Sequence, residues 1–489
     1  MKRLASIFLS CLLLISITLA GCNSASNTPN NPDITPSKVA DIPPTEAADI
    51  TPTKPAEDTN KNVSAITEAP RDNVINVFSM TDEIPRMIMK YKELRPDFPY
   101  EIKMFTFATV DADFHTILDE FLADGGVYTP DIYTVESANV MKYSQDDAAK
   151  YALPYKELGI DVDNLVKEAD IAQYVIDLGK NPEGEIVALT HQGTGGAYIY
   201  RRSIAKAVWG TDEPEVIKDK VGPGWEKFFE AAADLKAKGY GIVSGEGDIW
   251  HSIENSAEMP WVVNGKLYID PKREAFLDLA KQLKDKGYSN DTQDWTDDWY
   301  ADIKGAGKKQ IFGFFGPSWF VNYVMKNNCG GEKIGEGTYG DWAVCEPPVG
   351  FFWGGSWIYV NKNSKHKEAI GDIIKWLTLD SSETGLQHYW ANGIWNGDGG
   401  VLEAVASGTV MKNSIGELDF LGNQNMFDVF DKAAKLANGN NQTQYDSYIY
   451  TYWRDQVREY TAGTKTREQA IADFKQKVKE NLDIVSMVP

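Results

Sequence analysis

From residue 74 onward the apolar positions recur with a regular period. Val74-Ile75-Asn76-Val77-Phe78 is a short apolar run that predicts a strand, and Ile84, Met87, Ile88, Tyr91 and Leu94 follow at helical spacing. Tyr100, Ile102, Met104 and Thr106 alternate. Phe114, Ile117, Leu118, Phe121 and Leu122 then form one helix face, and Asp131-Ile132-Tyr133-Thr134-Val135 follows Gly125-Gly126 and Pro130 as a third strand. Strand-helix-strand-helix-strand with crossovers this long predicts an open parallel α/β sheet whose ligands lie at the carboxyl ends of its strands.

Further on, Ile186–Leu189 and Ala197–Tyr200 are apolar runs separated by Thr190-His191-Gln192-Gly193-Thr194-Gly195-Gly196, where the glycines are expected to free the backbone. Amphipathic helices over Trp225–Lys238 and Glu274–Lys286 predict a second lobe. Strand-like pieces at Ile311–Phe315 and Ser356–Val360, and a helix at Lys367–Leu379, imply that the chain crosses between lobes more than once. The tail is helical.

Before residue 74 the pattern is different in kind. Lys2 and Arg3 precede an apolar run from Leu4 to Leu19 that ends in Leu19-Ala20-Gly21-Cys22, the signature of an export signal with a cysteine placed to accept lipid. Residues 1–21 are therefore expected to be removed. The mature chain would be held at Cys22 on the outer face of the cytoplasmic membrane without spanning it. Residues 22–73, rich in Pro, Thr, Ala, Asn and Asp, predict a disordered, extended tether.

A formal net charge of −22 excludes nucleic acid as a natural partner. Of the four cysteines, Cys11 lies in the signal and Cys22 takes lipid, leaving Cys329 and Cys345 as either a disulfide or two buried thiols. The five histidines, His115, His191, His251, His366 and His388, have no metal-ligand spacing, so neither a metal nor a cofactor is expected. Gly335–Gly340 has no strand leading into it. Gly305-Ala306-Gly307-Lys308-Lys309 lacks the first glycine and the Ser or Thr of a phosphate loop. Paired carboxylates of a glycoside hydrolase remain open, because such pairing is spatial.

What remains is aromatic: 14 Trp, 23 Tyr and 20 Phe, with tryptophans crowding loops beside Gly or Pro. Trp295 and Trp299 flank an Asp-rich stretch, Trp319 follows Phe315-Gly316-Pro317-Ser318, Trp353 and Trp357 enclose Gly354-Gly355, and Trp390 and Trp395 surround Asn392-Gly393. An indole covers the apolar face of a pyranose ring while nearby carboxylates and amides take its hydroxyls, so the pattern points to a sugar site. Trp376 and Trp453, on amphipathic helices, are assigned to packing.

Phe78-Ser79-Met80-Thr81-Asp82-Glu83, Pro130-Asp131-Ile132-Tyr133, Tyr198-Ile199-Tyr200-Arg201-Arg202, Gly340-Asp341-Trp342-Ala343-Val344 and Phe352-Trp353-Gly354-Gly355-Ser356-Trp357 occur in an order and spacing that resembles the carbohydrate-binding lipoproteins of bacterial ABC importers, the family-1 extracellular solute-binding proteins of the maltose-binding type. The likeness spans about residues 74–485. It implies a two-lobed periplasmic-binding-protein-like α/β fold, each lobe an open, mostly parallel sheet flanked by helices and joined by hinge segments. The first lobe would comprise 74–190 plus about 317–378, and the second about 197–312 plus 385–489. It also implies a non-enzymatic, monomeric receptor that captures an oligosaccharide between the lobes and delivers it to a membrane permease. A peptide receptor of the same architecture is the other binding reading. Carried onto this sequence, Asp82, Glu83 and Glu136 would accept hydroxyls, and Gln192 would reach the site from the hinge. Trp250, Trp295, Trp299, Trp319, Trp353 and Trp395 would supply platforms, with Gly354 and Gly355 allowing backbone approach.

Overall fold

The computed structural model describes residues 72–107, 111–395, 402–482 and 486–487. The export signal, Cys22 and the Pro- and Thr-rich stretch lie outside the described residues. In chain order the strands are β1 (Val74–Ser79), β2 (Glu101–Thr106), β3 (Ile132–Glu136), β4 (Ala188–Leu189), β5 (Ala197–Arg201), the hairpin β6 (Val262–Val263) and β7 (Lys266–Leu267), β8 (Gly313–Gly316), β9 (Trp342–Cys345) and β10 (Ser356–Val360).

The first sheet has the order β2-β1-β3-β10-β4. β1 pairs in parallel with β2 and β3, as the crossover lengths predict, while β10 is antiparallel to both β3 and β4. β1 is buried from Ile75 to Ser79 because it is flanked by strands and covered on both faces, whereas edge strand β2 departs from the expected face: Met104 and Thr106 are exposed and Phe105 packs on Phe78. The helix α1 (Glu83–Leu94) buries Ile84, Met87, Ile88 and Tyr91 of the face read from the sequence, while Leu94, at its end, is exposed. Tyr133 and Tyr359, opposite each other across β3 and β10, stack at 5.1 Å and 9°.

The second sheet corrects the expectation of a mostly parallel sheet in each lobe. Its order is β8-β5-β9, and both pairings are antiparallel. Parallel character continues outward from β8 only as isolated bridges, Gly241 with Ile311 and Val243 with Ser289. The physical reason is the route of the chain. β5 is laid down directly after the chain leaves β4 in the first sheet, and β10 directly after it leaves β9 in the second, so each runs against its new neighbours. Periodicity records that a segment is a strand but not which way its partner runs. The two sheets end with the same direction pattern: two antiparallel pairings, then two parallel ones.

Of two hydrophobic clusters, one takes in the first sheet together with one face of the second (Ile199, Phe314, Trp342 and Val344), the other takes the second sheet's opposite face (Tyr198, Tyr200, Phe315 and Cys345), and Trp353 packs against both. β9 belongs to the second sheet although it falls within 317–378, and the helix Leu386–Ala391 joins the helix that follows β10, with Gln387 Nε2 donating to Thr378 O at 2.7 Å, although it lies beyond 385. The later crossings thus fall further along the chain than the expected division places them. The crossing segments run side by side: Gly193 N donates to Ala404 O at 3.0 Å, Ala406 N to His191 O at 2.9 Å, Gly196 N to Phe351 O at 2.8 Å and Trp353 N to Thr194 O at 3.0 Å. The glycines here serve contact rather than backbone rotation. None has positive φ, but a Cβ at Gly196 would fall 2.0 Å from the Phe351 ring and one at Gly193 would fall 2.5 Å from Val405 O. Cys329 and Cys345 are buried free thiols, not a disulfide.

Candidate functional site

Loops that leave the carboxyl ends of the parallel ribbons in the second sheet carry the aromatic residues. After 241–243 the chain turns through Ser244–Ile249 into the helix Trp250–Ser256; after Ser289 it runs through Asp291–Thr296 into the helix Asp297–Lys304; after β8 it passes Pro317-Ser318-Trp319 into a π-helical turn, Phe320–Met325. The crossing between β9 and β10 adds Trp353. These four segments converge. The Trp353 ring stacks on His251 at 4.4 Å and 25°, meets Trp319 edge-on at 4.8 Å and Trp295 at 5.8 Å, and lies 5.7 Å from Phe320. Trp319 Nε1 donates to Trp353 O at 2.9 Å, and Trp295 reaches Trp299 at 5.4 Å.

Trp295 is 48% exposed, while Trp319 and Trp353 are half-buried. Trp299, expected as a platform, is instead a wall behind the others: it is 2% exposed and its Nε1 donates to Asp248 Oδ1 at 2.9 Å. Trp250 is a second correction. It is fully buried in the second cluster, 5.2 Å from Phe276, and offers no open face. Adjacent helical residues point about 100° apart, so when Trp250 enters the core its neighbour His251 is turned toward Trp353. Trp395 sits apart, packed on the first cluster with Lys90 Nζ 6.0 Å over its ring.

On the first sheet, Asp82 and Glu83 follow the carboxyl end of β1, and Glu136 is the last residue of β3. Asp82 is exposed and pairs with Arg86 at 3.4 Å one turn along α1. Glu83 Oε1 lies 3.2 Å from Nε2 of buried His191 on the crossing segment, and the His191 ring meets Trp390 edge-on at 5.1 Å. Glu136 has a local structural task, accepting from Ala138 N at 2.8 Å and Ser137 Oγ at 2.6 Å to cap the turn Ser137–Asn139. The same turn touches the aromatic group through Ser137 N, which donates to Gly355 O at 3.1 Å. Gly354 and Gly355 have φ of 77° and 105°, so backbone conformation alone demands glycine there. Gln192 is nearly buried and bridges to Val405.

Sequence reasoning missed the charged frame of the aromatic loops. Asp248 is buried and accepts from Ser244 N, Gly245 N and Trp299 Nε1; burial pushes its carboxyl up to about 7 in spite of those donors. Asp294 is partly buried, which works to raise it, but Arg454 and Arg458 outweigh that desolvation and hold it below the usual carboxylate range. These partners are separated by up to 164 residues, and no local motif joins them. A cavity of about 540 Å³ bordered by Asn76, Lys103, Asp131 and His366 lies at the amino ends of β1, β2 and β3, the end of the sheet opposite Glu136. Its Asp131 is engaged by Asn76 N and Ser364 Oγ, which tie neighbouring segments together. Among the described residues no group of His, Cys, Asp and Glu is arranged to hold a metal, and no helix is long and apolar enough to cross a membrane.

Residues 101–413 match the family of bacterial extracellular solute-binding proteins. The chain belongs to that family. As a solute-binding protein it shares its two-lobed fold with a family-1 extracellular solute-binding protein, at a TM-score of 0.68 and 17% identity over 83% of this chain and 99% of that one. The galacto-N-biose/lacto-N-biose I-binding protein of an ABC transporter from Bifidobacterium longum, in complex with lacto-N-biose, aligns with a TM-score of 0.60 and 17% identity over 84% of this chain and 98% of that one. The sugar-binding protein MalE from Xanthomonas citri aligns with a TM-score of 0.62 and 15% identity over 83% and 97%. No curated protein sequence matches this solute-binding protein.

Proposed function

We propose that this solute-binding protein is the carbohydrate receptor of an ABC importer. It captures an oligosaccharide between lobes built on the two sheets and releases it, chemically intact, to a membrane permease. The observation that carries the reading is the convergence of Trp295, Trp319 and Trp353 from three separate segments, one indole exposed, at the carboxyl ends of the second sheet's ribbons. Flat apolar faces set at steep angles to one another suit successive sugar rings, and binding in this position is the rule for open α/β sheets. Asp82, Glu83, Glu136 and Gln192 would meet the hydroxyls from the first sheet and the crossing, with Gly354 and Gly355 beside the rings. The sugar-binding proteins that share the fold support this choice of ligand. Lipid on Cys22 and residues 22–73 would tether the body, as a monomer, to the outer face of the cytoplasmic membrane.

Calorimetry and tryptophan fluorescence with gluco-, xylo-, manno- and malto-oligosaccharides test the reading. Saturable binding with no new reducing ends is expected. Binding of peptides but no glycan would sink it, and release of reducing sugar would make the protein a hydrolase. Cys22→Ser is expected to move the protein from the membrane fraction to the medium.

A further inference from the structure

Five non-glycine residues among those described have a positive φ: Asp170, Asn264, Asp291, Trp295 and Asn423. Four are Asp or Asn, whose short polar side chains tolerate the left-handed region by bonding to nearby backbone. Trp295, at φ 64°, has no such means, and a bulky side chain there is strained. Elsewhere among the described residues this demand is met with glycine, at 18 positions. Trp295 is also the one tryptophan among the described residues with an exposed side chain. A strained backbone that presents a large open ring persists only where its surroundings over-determine it.

The hold comes from both sides of the residue. After it, Thr296 Oγ1 accepts from Trp299 N and caps the helix Asp297–Lys304. Before it, both oxygens of Asp294 lie 2.7 Å from Nη2 of Arg454, and Oδ1 lies 3.4 Å from Nη2 of Arg458. Arg454 and Arg458 are one turn apart on the helix Asp446–Ala462, and Arg458 Nε donates to Glu246 Oε1 at 3.1 Å on the loop that leads to His251. One helix therefore clamps the two loops that bring Trp295 and His251 to Trp353. An ion pair with only a packing role would give no reason to keep tryptophan, rather than glycine or asparagine, at the strained position.

We infer that the Asp294–Arg454 pair is a positioning device: it holds Trp295 in the left-handed conformation so that its indole stands open at the ligand site, and Arg454 thereby sets ligand affinity without touching ligand. This rests on the sugar-receptor reading for its ligand but not for its mechanics.

Two readouts test it, one free of ligand. Trp295→Gly and Trp295→Ala both delete the ring, and only glycine relieves the backbone, so Trp295→Gly should unfold at higher urea than Trp295→Ala. In an Arg454→Met background residue 295 is free to relax, and that difference should shrink to nothing. Equal midpoints for the two single variants, or an undiminished difference beside Arg454→Met, would overturn the proposal. For binding, the probes are maltotetraose, cellotetraose, xylotetraose and mannotetraose by calorimetry. Trp295→Gly and Arg454→Met should each lose about tenfold or more in affinity, and the double variant should lose no more than Trp295→Gly alone. Losses that multiply would show Arg454 acting independently of Trp295. Asp294→Asn, which keeps size, should lose affinity in the same way and guards against a misfolded Arg454→Met. If the unaltered protein binds none of the four sugars, the receptor reading fails, and the urea comparison still decides whether Arg454 holds Trp295.

Discussion

The indole N–H of Trp319 donates to the backbone carbonyl of Trp353 at 2.9 Å, so the platform on the β8 loop fixes the platform on the crossing segment. Trp319→Phe keeps an aromatic ring but strips that carbonyl of its donor. We expect a stability loss of about 1 kcal/mol, the net worth of one such bond, together with weaker sugar binding. Urea unfolding and calorimetry on the same variant measure the two.

Trp250 and Trp353 should separate packing from recognition. Trp250 lies wholly inside the second cluster, so Trp250→Ala is expected to cost about 3–5 kcal/mol of stability while leaving affinity of the folded protein unchanged. Trp353→Ala is expected to lower affinity by at least about tenfold. Affinity loss in the Trp250 variant equal to that of Trp353→Ala would place the ligand elsewhere.

A single methyl group should disturb the crossing. In Gly196→Ala the new Cβ would lie 2.0 Å from the buried Phe351 ring, which has no room to retreat. Overpacking of this kind costs about 1–3 kcal/mol, read as a lower urea midpoint.

Acid should weaken the first lobe through His115. Burial, aided by Lys142, pushes its imidazole down to about 4 from an ordinary 6.5. Between those values the unfolded chain binds a proton that the folded chain refuses, so this stabilisation is complete above pH 6.5 and is lost as the pH falls toward 4. His115→Phe is expected to show a shallower decline in urea midpoint across that window than the unaltered protein.

Much of the fold was legible because its signals are local. The buried stripe of α1 and the apolar run of β1 follow from burial on one stripe and on two faces, whereas the alternation read for β2 did not hold, since Met104 and Thr106 are exposed at the sheet's edge. The directions of β5 and β10 were not, because each pairs with strands the chain reaches by crossing between sheets. At the site, loop position singled out Trp295, Trp319 and Trp353 among the candidate platforms, and the fold brings these three together. That signal failed for Trp250, where helix phase sends the indole inward and His251 outward, and for Trp299, whose burial depends on Asp248 some 51 residues away. Arg454 carried no signal at all, since its partner Asp294 is 160 residues upstream.

The placement of β10 between β3 and β4 governs how the protein must be made. A nascent chain that has emerged only as far as β4 holds β1, β2 and β3 with the apolar edge Ile132–Glu136 open, and the strand that closes it arrives more than 160 residues later, after β5, β8 and β9 have passed. Such an edge invites pairing with other chains, and a closure this distant in sequence is slow. The second sheet, whose strands β5, β8 and β9 all lie between β4 and β10, can form while the first still waits for β10, so a break anywhere in that stretch leaves the first sheet divided between two fragments.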